Sequence, residues 1–232
     1  MVPEITGRPL DDAGNPTDGP QLEVDPDGRA IQLFSASPHA LASSPGMGMW
    51  STILQYPESS GNGTPAMLVW LGPDATELPP HVHTSNREVF RSVEGTVTVV
   101  VDGEPNHLEP GERLTVEPGD PHYFRNDTDG FVAFHVEVPW TKTIDTQYMS
   151  AGLDHEGHFG TEGEFGEPDL VQGLLLAEYV EDETRIAIAP LPVQKVLWAS
   201  IGRLARLAGR SAMDERYLRD RFWEARVEQP DV

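Results

Sequence analysis

The sequence predicts a mainly β protein, an antiparallel barrel or sandwich, followed by an α-helical extension. Three observations carry that reading. Between residues 30 and 138, short β-prone runs alternate with clusters of Gly, Pro, Asn and Asp. No helical stripe interrupts those runs, which argues against alternating β and α units. After Pro139, apolar residues recur at three- and four-residue spacing instead.

The elements follow in order. Residues 1–28 hold Asp11-Asp12-Ala13-Gly14-Asn15-Pro16 and Asp25-Pro26-Asp27-Gly28, and read as an N-terminal arm or loop. Strands are expected over 31–35, 50–56, 66–71, 88–93, 96–102, 113–117, 122–125 and 131–138. Their separators include Ser60-Gly61-Asn62-Gly63, Asp102-Gly103, Pro110-Gly111, Pro118-Gly119 and Asp127-Thr128-Asp129-Gly130. This gives a β domain over 29–140. Residues 141–232 form a linker and a C-terminal helical extension. Within it, 150–168 carries Gly157, Gly160, Gly163 and Gly166 and reads as a surface crossing. Helices are expected over 169–181, over 194–208 (Val196, Leu197, Ile201, Leu204, Leu207) and over 214–227 (Tyr217, Leu218, Phe222, Trp223). Their apolar faces call for burial on the β domain or on a second subunit.

Composition narrows the function. The chain has 232 residues and a formal charge of −22, with Lys142 and Lys195 as its only lysines. Such a charge is unsuited to nucleic acid or an anionic membrane. Lysine depletion and Asp-rich loops fit a halophile's protein, hydrated by carboxylates where salt screens their repulsion. The stretch 203–226 reverses the balance, with seven arginines against four carboxylates; it suits docking on an acidic surface or a solvated helix face. No cysteine is present, so any metal takes nitrogen and oxygen ligands. Residues 1–20 are polar and lack the apolar core of a signal peptide, and no apolar run spans a bilayer. The expectation is a cytoplasmic protein.

The chemistry concentrates in His81-Val82-His83, Glu88 and His122. Two residues apart on a strand, His81 and His83 share a face. Glu88 stands five beyond His83 and would face the other way on an unbroken strand. It joins the histidines only if the chain turns or bulges between, and Thr84-Ser85-Asn86-Arg87 supplies turn-compatible residues there. The spacing therefore describes a strand, a reversal and a return strand carrying Glu88. His122 follows the turn Glu117-Pro118-Gly119-Asp120-Pro121 and opens another strand. Three imidazoles and a carboxylate suit one divalent transition metal: Fe, Mn, Co, Ni, Cu or Zn. Elsewhere, His135 on an alternating strand reads as a pocket or support residue, or as an ordinary strand histidine. His155 and His158 read as solvated loop residues. Phe90, Tyr123, Phe124 and Phe134 read as pocket wall or barrel core, and Arg91 and Arg125 as anion holders or partners of surface acids.

With these residues the chain resembles the cupins. His81-x-His83-x4-Glu88-x6-Gly95 matches the His–Glu–Gly core of the first cupin motif. Gly111-x6-Pro118-Gly119-x2-His122-x3-Asn126 matches the second, with Glu117 where proline is usual. The glycine expected just before the first histidine is displaced to Gly72. The resemblance covers about residues 45–140 and holds one motif pair. It implies a single jelly-roll-like cupin β-barrel with His81, His83, Glu88 and His122 as metal ligands in its mouth. It also implies a small-molecule substrate or ligand and a homodimer. Among activities it implies a quercetinase-like, metal-dependent dioxygenase with Glu88 as ligand and general base. A Lewis-acid isomerase or lyase and a non-catalytic small-molecule or metal-binding protein remain alternatives.

Overall fold

The computed structural model describes residues 3–56, 64–138, 141–157, 170–186 and 189–231. Its first strands, β1 (Glu4–Thr6) and β2 (Leu22–Val24), pair with each other antiparallel. The arm or loop expected over 1–28 is thus partly built into the fold, with Leu22 and Val24 in the main core. Hydrogen bonds from Gly7 and Leu10 to the carbonyls of Glu228 and Arg226 tie this segment to the C-terminus.

Next comes helix α1 (Arg29–Ser35), in place of the expected strand over 31–35. Ala30, Ile31 and Phe34 are its buried residues, a one-sided helical spacing rather than alternation. The helix lies on β-sheet, with Phe34 against Trp70 at 6.4 Å. The barrel strands are β3 (Ala42–Ser44), β4 (Met49–Gln55), β5 (Ala66–Leu71), β6 (His81–His83), β7 (Glu88–Glu94), β8 (Val97–Val101), β9 (Glu104–Leu108), β10 (Arg113–Val116), β11 (His122–Arg125) and β12 (Val132–Glu137). The expected separator Ser60-Gly61-Asn62-Gly63 lies outside the described residues.

Two antiparallel sheets result. One runs β10-β7-β12-β5-β4-β3; the other contains β6-β11-β8-β9. Strand β9 escapes a pattern search because its sequence, Glu-Pro-Asn-His-Leu, is polar and contains Pro105. At a sheet edge that composition is tolerated. The hairpin to β9 turns at Asp102 and Gly103, both with positive φ, as a two-residue turn demands. Phe90, Phe124 and Phe134 meet between the sheets with centroids 5.0–6.1 Å apart, so barrel core is their role.

Beyond the barrel stand α2 (Thr141–His155), α3 (Leu170–Val180), strand β13 (Thr184–Ile186), α4 (Leu191–Leu197), α5 (Arg203–Leu207) and α6 (Asp220–Glu224). Helix α2 carries no periodic stripe strong enough to read, because its buried face mixes Ile144, Tyr148 and Ala151 with Asp145 and Asp154. Those acids are satisfied locally: Asp154 accepts from Ser44 Oγ (2.9 Å) and the Gly46 amide (2.8 Å), and Asp145 accepts from Tyr56 (3.0 Å). The surface crossing expected over 150–168 therefore begins as helix, and residues 158–168, with His158, lie outside the described residues.

Between α4 and α5 the helix widens to a π turn at Trp198–Gly202. Its inward face is Gln194, Trp198, Gly202 and Ala205, whereas the expected stripe residues Val196, Leu204 and Leu207 are exposed. Close approach to α3 at Gly202, next to Leu175 and Glu178, sets that rotation. Among the described residues, no helix is long and apolar enough to cross a membrane.

Candidate metal centre

Strand β6 ends at His83 and β7 begins at Glu88, so the chain does turn between them. The turn is not a hairpin, however. β6 belongs to one sheet, while β7 pairs with β10 and β12 in the other. Residues 84–87 carry the chain around a corner, and Glu88 faces the histidines across the barrel interior. His122 sits opposite His81 in the β11–β6 pairing. Donor atoms of His81, His83, Glu88 and His122 all lie within 4.8 Å of one another.

The cluster is enclosed. His83, Glu88 and His122 are 2, 4 and 1 % exposed, whereas His81 is half-buried at the cavity side. Glu88 Oε2 accepts from Nε2 of His122 (2.7 Å) and of His83 (3.0 Å). Burial works to raise the Glu88 pKa. The hydrogen bonds from His122 and His83 outweigh it and hold the carboxylate down at about 2. At His122, burial opposes the charged form, but the bond to Glu88 prevails and the pKa is raised. His81 goes the other way. Burial, then the charge of His122, pushes it down to about 3, so its imidazole is neutral at pH 7.

Each ring's second nitrogen has a polar partner. His122 Nδ1 donates to the Asp120 carbonyl at 2.9 Å, and His81 Nδ1 lies 3.4 Å from the Pro79 carbonyl. His83 Nδ1 lies 2.8 Å from Thr184 Oγ1, which is 2.9 Å from Thr143 Oγ1. Fixing Nδ1 in this way orients Nε2 toward the centre, the arrangement a histidine-bound metal requires. The donor set and its supports therefore fit one divalent transition metal. Such a cation would compete with protons for the same lone pairs.

Sequence reasoning did not find the supports. Thr184 lies on β13, which pairs with β6 so that Thr184 opposes His83 and Ile186 opposes His81. Without β13, the histidine strand would keep only one registered pair with β11 and the hydrogen bond from the Gly119 amide to the His83 carbonyl (3.0 Å). Nothing local distinguishes Thr184, since it stands 101 residues from its partner.

A cavity of about 440 Å³ opens beside the cluster. Its lining reaches His81 and Thr184 and is largely apolar, with Met47, Met49, Leu78 and Leu176. Helices α2 and α3 supply one wall, including Thr146 and Gln147. The remaining candidates sit elsewhere. His155 packs on Trp223 (5.7 Å), with Nε2 2.6 Å from Ser43 Oγ, and is not a solvated loop residue. Arg125 pairs with Asp127 and Glu77, and also reaches Tyr123. His135 and Arg91 lie together in a separate groove.

Residues 67–138 match the family model described as "Cupin domain". Over 87 residues, 38% of this chain, the sequence is 30% identical to quercetin 2,3-dioxygenase of Bacillus subtilis (strain 168). The match spans 25% of that protein's length. Among solved structures, a sugar phosphate isomerase from the cupin superfamily of Silicibacter pomeroyi is similar at 26% identity. That match covers 44% of this chain and 71% of the other, with a TM-score of 0.36. A predicted oxalate decarboxylase of Thermotoga maritima is similar at 17% identity, covering 44% and 92%, with a TM-score of 0.39.

Proposed function

We propose, from the match to the cupin domain over residues 67–138, that the chain is a mononuclear metal-dependent dioxygenase, quercetinase-like, acting on a small and largely apolar organic substrate. The observation that carries this reading is the convergence of His81, His83, Glu88 and His122 beside an apolar cavity. The likeness to quercetin 2,3-dioxygenase supports it over the matched segment. The four side chains would serve as ligands. A divalent transition metal held by them would supply Lewis-acid or redox chemistry to a bound substrate.

The protein's own groups define the rest. Thr184 and the Asp120 carbonyl hold His83 and His122 in one orientation. Glu88, kept ionised by its neighbours, is the carboxylate acceptor within the cluster, and we assign it the general-base role toward a substrate hydroxyl. Met47, Met49, Leu78 and Leu176 exclude water from the approach and take up the apolar body of the substrate. A homodimer belongs to the same reading, and the exposed Val193, Val196, Leu204 and Leu207 are apolar surface available to it.

The test is elemental analysis of the purified protein, followed by oxygen consumption with flavonol and dihydroxyaromatic substrates. We expect near one metal per chain, and oxygen uptake that falls at least about 100-fold in Glu88→Ala and His122→Ala. Absence of bound metal after growth with Fe, Mn, Co, Ni, Cu and Zn would overturn the metal centre. A loaded protein that turns over nothing, yet is stabilised by a ligand, would replace the enzyme by a binding protein.

A further inference from the structure

The outer face of the six-stranded sheet carries a second concavity, a groove of about 750 Å³ beside α1. Its lining includes Arg29, Arg91, Arg113 and His135, with Leu33 and Val89. Three of these basic side chains form a row across neighbouring strands. Arg113 on β10 is the direct cross-strand partner of Arg91 on β7, and Arg91 is the partner of His135 on β12. Like charges placed directly opposite one another destabilise a sheet, so the arginine pair is a cost to the fold unless an anion neutralises it.

The chain does not lack carboxylates to do so, with 38 against 16 lysines and arginines. Arg8, Arg125, Lys142, Arg185, Lys195, Arg206, Arg216 and Arg219 each have a carboxylate within 4.0 Å. Among the described residues, the guanidinium groups of Arg29, Arg91 and Arg113 have neither a carboxylate within 4.0 Å nor a hydrogen bond; Arg87, Arg203, Arg221 and Arg226 lack a carboxylate too, but Arg29, Arg91 and Arg113 share one concavity. Glu137, the carboxylate that lines the groove, forms no ion pair with any of them. In a protein of net charge −22, three unpaired arginines converging on one concavity are a local inversion of sign.

We propose that this groove binds a compact oxyanion carrying two or more negative charges, a phosphate or a polycarboxylate, held by Arg91 and Arg113 with Arg29 and His135 at its edges. Arginine's planar fork suits oxyanions of both kinds through paired N–H donors. A second copy of the chain is a poorer occupant. A two-fold pair through this face sets the same arginines against each other. A nucleic acid is poorer still, since the acidic body repels a polyanion.

The probes are inorganic phosphate and citrate, titrated by calorimetry and thermal shift at constant ionic strength against sodium chloride. Saturable binding of either supports the groove, and the tighter of the two names the anion's chemistry. Arg91→Gln/Arg113→Gln should weaken it at least about tenfold. The same variant should raise the Tm without anion, because it removes the opposed charges. The variant His122→Ala should leave anion binding unchanged, which separates this site from the metal centre. Binding no stronger than chloride's, or unchanged in the double variant, overturns the proposal. So does binding lost in His122→Ala, or an oligomer that only the double variant dissociates.

Discussion

Thr184 shows how much one hydroxyl can decide. Its Oγ1 lies 2.8 Å from His83 Nδ1, in a site where His83 is almost fully enclosed. Replacing it by valine leaves Nδ1 without its hydrogen-bond partner and frees the ring to rotate. Thr184→Val should weaken metal affinity about 10- to 100-fold, with Thr184→Ser close to the parent. Competition titration with a chelator reads this directly; equal affinity in both variants would remove Thr184 from the site. His155 answers to pH instead. Burial first, then the charge of Arg226, pushes its imidazole down to about 4. Between about pH 6.5 and 4, the unfolded chain takes up a proton that the folded protein refuses. Stability from this group is therefore complete above pH 6.5 and lost as pH falls through that window, by up to about 3 kcal/mol. Urea titrations at pH 7 and 4.5 should show the loss, and His155→Asn should reduce it. A pH slope identical in parent and variant would rule this contribution out.

At the scale of elements, the helical extension is built into the barrel rather than hung from it. Strand β13 completes the histidine strand's pairing, and α2 and α3 wall the cavity. Further along, Tyr217, Trp223 and Val227 are fully buried in the main core. Gly152 on α2 is where this junction is tightest, because a Cβ there would collide with the Tyr217 ring. Gly152→Ala should destabilise by about 2 kcal/mol, despite alanine's better helix propensity. In a Tyr217→Ala background the same change should cost much less. Chemical denaturation of the four-member cycle checks it, and additive effects would show that the contact does not limit packing. Sequence made this junction hard to see. The polar composition of α2 hid its buried face, and no local pattern announces a glycine chosen for a ring on a distant segment.

For the whole molecule, charge repulsion sets the response to salt. A net −22 spread over the surface opposes compaction at low ionic strength and is screened within about 3 Å at about 1 M salt. The Tm should therefore rise by several degrees between about 0.05 and 1 M sodium chloride. Calorimetry at constant pH measures this, and a salt-independent Tm would mean that repulsion is already balanced by ion pairs such as Arg8–Glu228 and Lys142–Asp182.

Read on its own, the sequence determined the β character of the barrel, most strand positions and the four clustered side chains. Those features are local: strand parity, turn residues and donor chemistry are written within a few positions of one another. The odd spacing of Glu88 even required a turn at 84–87. Tertiary structure decided that this turn joins two different sheets. It also decided that 29–35 is a helix on the sheet's outer face, that Thr184 orients His83, and that unpaired arginines share one groove. Each of these depends on which distant segments pack together, and residue spacing carries no record of that.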